Sequence, residues 1–126
     1  MAPIRDLAKR TEAFAVCVVR FSNTLPSNMA GRSIAQQLLK AGTSVAANYR
    51  AACRAYTRPL FISKLATVAE EADESEFWLR LLVNAGLTSP ETTADLVREA
   101  GELSAIFTAA MKTARGGRLR DPQRSS

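Results

Sequence analysis

Apolar residues recur along this chain at alternating steps of three and four, the spacing that holds them on one face of an α-helix, and they do so in four separate runs. In the first, Ile4, Leu7, Thr11, Phe14, Val18, Phe21 and Leu25 line one face, and the helix is predicted to end near Asn23-Thr24, ahead of Pro26. The second runs from about Asn28 to Tyr56 and carries two parallel stripes. One is Ile34, Leu38, Ala41, Val45, Asn48 and Ala52; beside it lie Ala35, Leu39, Gly42, Ala46, Tyr49, Cys53 and Tyr56. A surface helix needs one such stripe, so this helix is expected to be buried over a wide arc. Its small residues Gly42, Ala46 and Ala47 would let a neighbouring helix come close. In the third run Thr57 is placed to cap the helix and Pro59 falls in its first turn, where a missing N–H costs nothing. Phe61, Leu65, Val68, Ala72, Ser75, Leu79 and Leu82 form its stripe, and Gly86 suits a left-handed stop. Ser89 or Thr88 then caps a fourth helix, with Pro90 and Glu91 in its first turn and Leu96, Ala100, Leu103, Phe107, Ala110 and Ala114 as its stripe; it is predicted to end by Gly116.

The connections are a few residues each, which forces consecutive helices to lie antiparallel. The expected fold is therefore all-α: an up-and-down four-helix bundle over residues 1–115, followed by a flexible basic tail over 116–126. A chain of 126 residues is one domain long and buries a core without disulfides or metals. Its longest apolar stretch, Ala13 to Val19, falls far short of the ~20 residues that span a bilayer, and the first residues lack the apolar run of a secretory signal. The expectation is a soluble cytoplasmic protein with no membrane role.

The chain has no histidine. That removes Ser-His and Cys-His nucleophiles, histidine-ligated metals and the commonest general base together. Cys17 and Cys53 show no CxxC spacing and are expected to be reduced, buried packing residues. The cluster Glu70, Glu71, Asp73 and Glu74 resembles a carboxylate di-iron site only in part, because the Glu-x-x-His pairs are missing. Gly116-Gly117 follows a helix rather than opening one, so it is no phosphate loop. The chain is read as a non-enzyme with no cofactor and no metal.

Charge is distributed unevenly within a net charge of +5. The second helix carries Arg32, Lys40, Arg50 and Arg54 and no acid. At ~100° per residue these fall within an arc of ~80° opposite the core stripe, a basic ridge along the helix. The tail adds Arg118, Arg120 and Arg124 just after Arg115. Such an arrangement suits a phosphate backbone, RNA or DNA, bound by charge and spacing. The competing reading is a solvated face, or one that pairs with the acidic third helix. That helix bears Glu70, Glu71, Asp73, Glu74 and Glu76 against Arg58, Lys64 and Arg80. No aromatic lies in the ridge, which disfavours sequence-specific single-strand reading.

Lys64, Glu71 and Trp78 recur every seven residues beside the third core stripe, with Glu74 close by. A tryptophan among long charged side chains is the composition of a subunit interface edge; the alternative is that Trp78 closes the bundle's own core. Asn48, on a core stripe, either fixes register or oligomeric state, or sits at the stripe's edge and bonds a backbone carbonyl.

The run Leu39-Lys40-Ala41-Gly42-Thr43-Ser44-Val45-Ala46-Ala47-Asn48-Tyr49-Arg50-Ala51-Ala52-Cys53-Arg54, then Phe61-Ile62-Ser63-Lys64-Leu65, Glu70-Glu71-Ala72-Asp73-Glu74 and Trp78-Leu79, resembles the four-helix bundle proteins encoded in intervening sequences of bacterial large-subunit (23S) rRNA genes. The resemblance extends from about Phe14 to Arg115; where the family often has a second glycine, this chain has Ala46. It implies a ring-like homo-oligomer, a homopentamer, with long helices packing between subunits; Tyr49, Lys64, Glu71, Glu74 and Trp78 are the residues expected at that interface. A similar bundle is the accessory variability protein of diversity-generating retroelements, which implies nucleic acid and a reverse transcriptase as partners. Two functions follow: an oligomeric nucleic-acid or ribonucleoprotein accessory using Arg32, Lys40, Arg50, Arg54, Arg115, Arg118, Arg120 and Arg124, or a structural, protein-interaction oligomer with no nucleic-acid role.

Overall fold

The computed structural model describes residues 4–119, with side chains placed for 6–116. It consists of α1 (Ile4–Ser22), α2 (Met29–Cys53), α3 (Arg58–Asn84) and α4 (Pro90–Leu119), with no strand among the described residues.

Each boundary has a local cause. The Asn28 side chain accepts the Gly31 N–H at 2.7 Å and starts α2. Thr57 does the same for α3 through the Leu60 N–H at 3.2 Å, with proline in the first turn. α3 ends where Gly86 adopts φ 76°; the Leu87 N–H reaches back to the Leu82 carbonyl at 2.9 Å and the Gly86 N–H to that of Val83 at 3.0 Å, the paired bonds of a left-handed stop. Of the two candidate caps for α4, Ser89 is the one used, accepting the Thr92 N–H at 3.1 Å.

The helices pack in chain order, α1 on α2, α2 on α3 and α3 on α4, while α1 meets α4 along a much shorter seam. The four predicted stripes converge on one core in which Val18, Leu38, Val45, Val68, Leu79, Leu82, Leu103 and Phe107 are fully enclosed. Each such side chain contributes roughly 1.5–3 kcal/mol by leaving water. Polar residues on the stripes bond within their own helices, Thr11 to the Leu7 carbonyl at 2.9 Å and Ser75 to that of Glu71 at 2.8 Å. α1 approaches α2 at Gly42, where a Cβ would stand 2.8 Å from Val18 Cγ1; the small residue is what admits the neighbouring helix.

Three expectations are corrected. α2 stops at Cys53, because the Arg54 and Ala55 N–H groups turn back to Ala51 and Ala52, each at 3.1 Å, so Tyr56 leaves the second stripe and stands 90% exposed. Cys17 and Cys53 are exposed, not buried. Cys17 sits off the stripe, between Phe14 and Val18, and Cys53 faces an open groove of about 500 Å³ whose small residues Ala8, Ala46 and Ala47 do not reach over it. α4 passes Gly116 and continues to Leu119. A helical glycine costs ~1 kcal/mol relative to alanine and is not by itself a stop; among the described residues only Gly86 takes a positive φ.

Candidate nucleic-acid interface

Up-and-down topology brings the C-terminal ends of α2 and α4 and the N-terminal ends of α1 and α3 to the same end of the bundle. Two concavities lie there. The groove between α1 and α2 is bordered by Glu12, Thr43, Tyr49, Arg50, Cys53 and Arg54. A cup of about 370 Å³ is lined by Ala55, Tyr56, Thr57, Arg58, Phe61 and Ala114, joining the α2–α3 turn to the end of α4.

Arg32, Lys40, Arg50 and Arg54 are all exposed, as the ridge predicts, and so are Arg58 and Arg115. None of these six is within ion-pair distance of a carboxylate among the described residues. The Arg32 guanidinium donates to the Ser27 carbonyl, and Arg115 Nη2 lies 3.6 Å from Met111 Sδ. Lys40 is the one that leans toward α3. Its charge lowers the Glu71 pKa, against burial, the largest influence, and against Glu74 and Glu70, so that Glu71 stays above the ordinary carboxylate value. The Arg118 side chain, Arg120 and Arg124 lie outside the described residues.

Other arginines are engaged. Arg10 of α1 grips Glu99 of α4 with two bonds, Nε at 2.7 Å and Nη2 at 2.8 Å, and reaches Glu102 at 2.7 Å. Its own pKa is raised, chiefly by the bond to Glu99. Arg80 pairs with Glu76 at 2.8 Å and Arg98 with Asp95 at 2.6 Å.

Lys64, Glu71 and Trp78 are half-buried along one edge of α3, and Glu74 is exposed. Trp78 packs against the core and donates its Nε1–H to Glu74 at 3.2 Å, while Phe77 stands edge-on to it at 4.9 Å and is 55% exposed. Trp78 thus closes the core and also borders an exposed aromatic. Tyr49, expected at the interface, is 3% exposed within the chain: its ring lies 5.1 Å from that of Phe107, and burial followed by its bond with Cys53 raises its hydroxyl pKa. It is engaged within its own protomer. Asn48 donates to the Ser44 carbonyl at 2.9 Å, the second of its two readings.

Helical periodicity did not single out Arg58 or the Arg10 clasp, and it read Tyr56 only as a stripe residue. Arg58 lies on a different helix from the ridge, and Tyr56 fits a stripe that the fold does not continue. Among the described residues no group of three or more His, Cys, Asp or Glu side chains is placed to hold a metal, and no helix is long and apolar enough to cross a membrane.

The profile of a family described as 23S rRNA-intervening sequence protein matches residues 5–109. Among solved structures, a protein with unknown function from the S23 ribosomal protein family of Bacteroides thetaiotaomicron VPI-5482 superposes with a TM-score of 0.80 at 28% identity, covering 86% of this chain and 97% of that one. No curated protein matches the sequence.

Proposed function

Because the chain belongs to the 23S rRNA-intervening sequence protein family, we propose that it is a non-catalytic accessory protein that holds nucleic acid through the basic end of its bundle. The observation that carries this reading is that Arg50, Arg54, Arg58 and Arg115 are exposed without a carboxylate partner among the described residues, whereas Arg10, Arg80 and Arg98 are paired. Unpaired guanidiniums gathered at one end are a site for phosphates. The protein acts as a ring-like homo-oligomer, a pentamer by the family resemblance. Support for self-association comes from exposed Val16 and Val19 on α1 and Phe77 on α3, and from the short α1–α4 seam. A ring multiplies a weak phosphate site into avidity. A reverse transcriptase is the protein partner that the retroelement resemblance adds.

The test is retention of RNA and of DNA by the intact protein across a salt series, with mass measured by light scattering on the same samples. Expected are an oligomeric mass and an affinity that falls steeply with salt, with little sequence preference. A monomer mass at micromolar concentration would refute the ring, and no retention at low salt would remove the nucleic-acid role. The second reading, a structural oligomer, is favoured by the attraction between Lys40 and Glu71 and by the exposed Phe77 beside Trp78. It predicts the oligomer without the retention.

A further inference from the structure

Tyr56 presents a 90% exposed ring on a short turn held from both sides. Before it, the Arg54 and Ala55 N–H groups bond back into α2; after it, Thr57 caps α3. The backbone that carries the ring is therefore held, while the ring itself is left in water. Among the described residues it stacks on no other aromatic; the ring pairs are Tyr49 with Phe107 and Phe77 with Trp78. Beside it the cup has an apolar wall of Ala55, Phe61 and Ala114, a rim at Arg58 and, among the described residues, no acid. Its volume, about 370 Å³, is near the lower bound of ~300 Å³ for small-ligand sites. Arg54 and Arg58 lie two positions before and after Tyr56 in the chain, both exposed and neither paired with a carboxylate among the described residues. Glu12 is the one acid at the neighbouring groove, and it does not line the cup.

An exposed aromatic with exposed cations two positions before and after it in the chain matches a nucleotide strand, whose base offers a π face and whose phosphates lie on either side of it. In a duplex both faces of each base are covered by stacking, so the ring gains nothing there beyond what the arginines gain. Resting on the nucleic-acid reading above, we infer that Tyr56 is a stacking platform for one base of single-stranded RNA or DNA, with Arg54 and Arg58 holding the adjacent phosphates. This supplies the aromatic that the α2 ridge lacks.

The experiment compares the intact protein with Tyr56→Ala, Tyr56→Phe and Arg54→Ser/Arg58→Ser on labelled single strands of uridine and of thymidine, about ten nucleotides long, and on a duplex of equal phosphate count. Tyr56→Ala is expected to weaken single-strand binding roughly five- to a hundred-fold, the worth of one stacked base, with no change in salt slope. Tyr56→Phe should restore it, and duplex binding should not respond to either. Arg54→Ser/Arg58→Ser should lower the salt slope on both probes. Unchanged single-strand affinity in Tyr56→Ala, with salt-dependent binding intact, overturns the platform and leaves the proposed function standing. No binding by the intact protein overturns both. A loss of oligomeric mass in Tyr56→Ala also overturns the inference, because the ring would then be a contact between copies of the chain.

Discussion

Arg10 on α1 and Arg58 at the start of α3 are the same residue type in opposite circumstances. Arg10 lies across the narrow α1–α4 seam, where Glu99 and Glu102 meet its guanidinium with three bonds of 2.7–2.8 Å. Arg58 lies at the rim of a cup with no acid among the described residues that line it. The difference teaches that positive charge in this bundle has two uses, and that the opposing helix decides between them. Where α1 meets α4 only briefly, a bidentate ion pair joins them; where the α2–α3 turn meets the end of α4, cations gather with no acid opposite them among the described residues.

The strongest way to break this contrast is to remove the unpaired set. Arg50, Arg54, Arg58 and Arg115 changed together to Ser should reduce the logarithmic salt slope of nucleic-acid binding by roughly three to four, and affinity at low salt by roughly a hundred-fold or more. Circular dichroism should show the helical content unchanged, since none of the four holds a carboxylate in the fold. If binding survived, the basic end would not be the site.

Removing the paired counterpart should do the reverse. Arg10→Ala leaves Glu99 and Glu102 facing each other without their cation, and is expected to cost about 1–2 kcal/mol, a fall of roughly 3–8 °C in thermal midpoint. The salt slope of binding should not move. An unchanged midpoint would mean that the clasp on the seam contributes nothing. Arg98→Ala sets the lower limit, because its exposed partner Asp95 is on the same helix; the expected loss is about 0.5 kcal/mol or less.

The smallest effect concerns Glu71, where a cation of α2 and the acids of α3 compete. Its pKa is raised in the folded protein, so the folded state binds more protons than the unfolded chain between the ordinary carboxylate value and the raised one. Stability therefore falls as pH rises through that window, and the penalty persists at neutral pH. Glu71→Gln should stabilise by a few tenths of a kcal/mol at pH 7, within the usual range for surface changes, and should be neutral below about pH 4. Equal effects at both pH values, read by denaturant midpoints, would show that charge is not the cause. Destabilisation at pH 7 would show that the attraction to Lys40 outweighs the burial.

By itself the sequence determined the four helices, the Thr57 cap, the Gly86 stop and most of the core, because periodicity, capping and left-handed stops act within a few residues of the chain. It also placed Arg32, Lys40, Arg50 and Arg54 on an exposed face, which needs only the helical repeat. Where a feature depended on a partner helix, local pattern did not reach it. Cys53 lies on an apolar stripe but is exposed, because the residues of α1 and α2 around it are too small to cover it. Tyr49 packs on Phe107, a residue of α4 that its own helix pattern does not name. Arg10 meets Glu99 across 89 positions of sequence, and Tyr56 shares a cup with Ala114 only because α4 returns to the α2–α3 turn. Which charges remain free, and which aromatic stands among them, is settled by what the other helices bring within a few ångströms, where ion pairs and stacking act, and that is a property of the assembled fold.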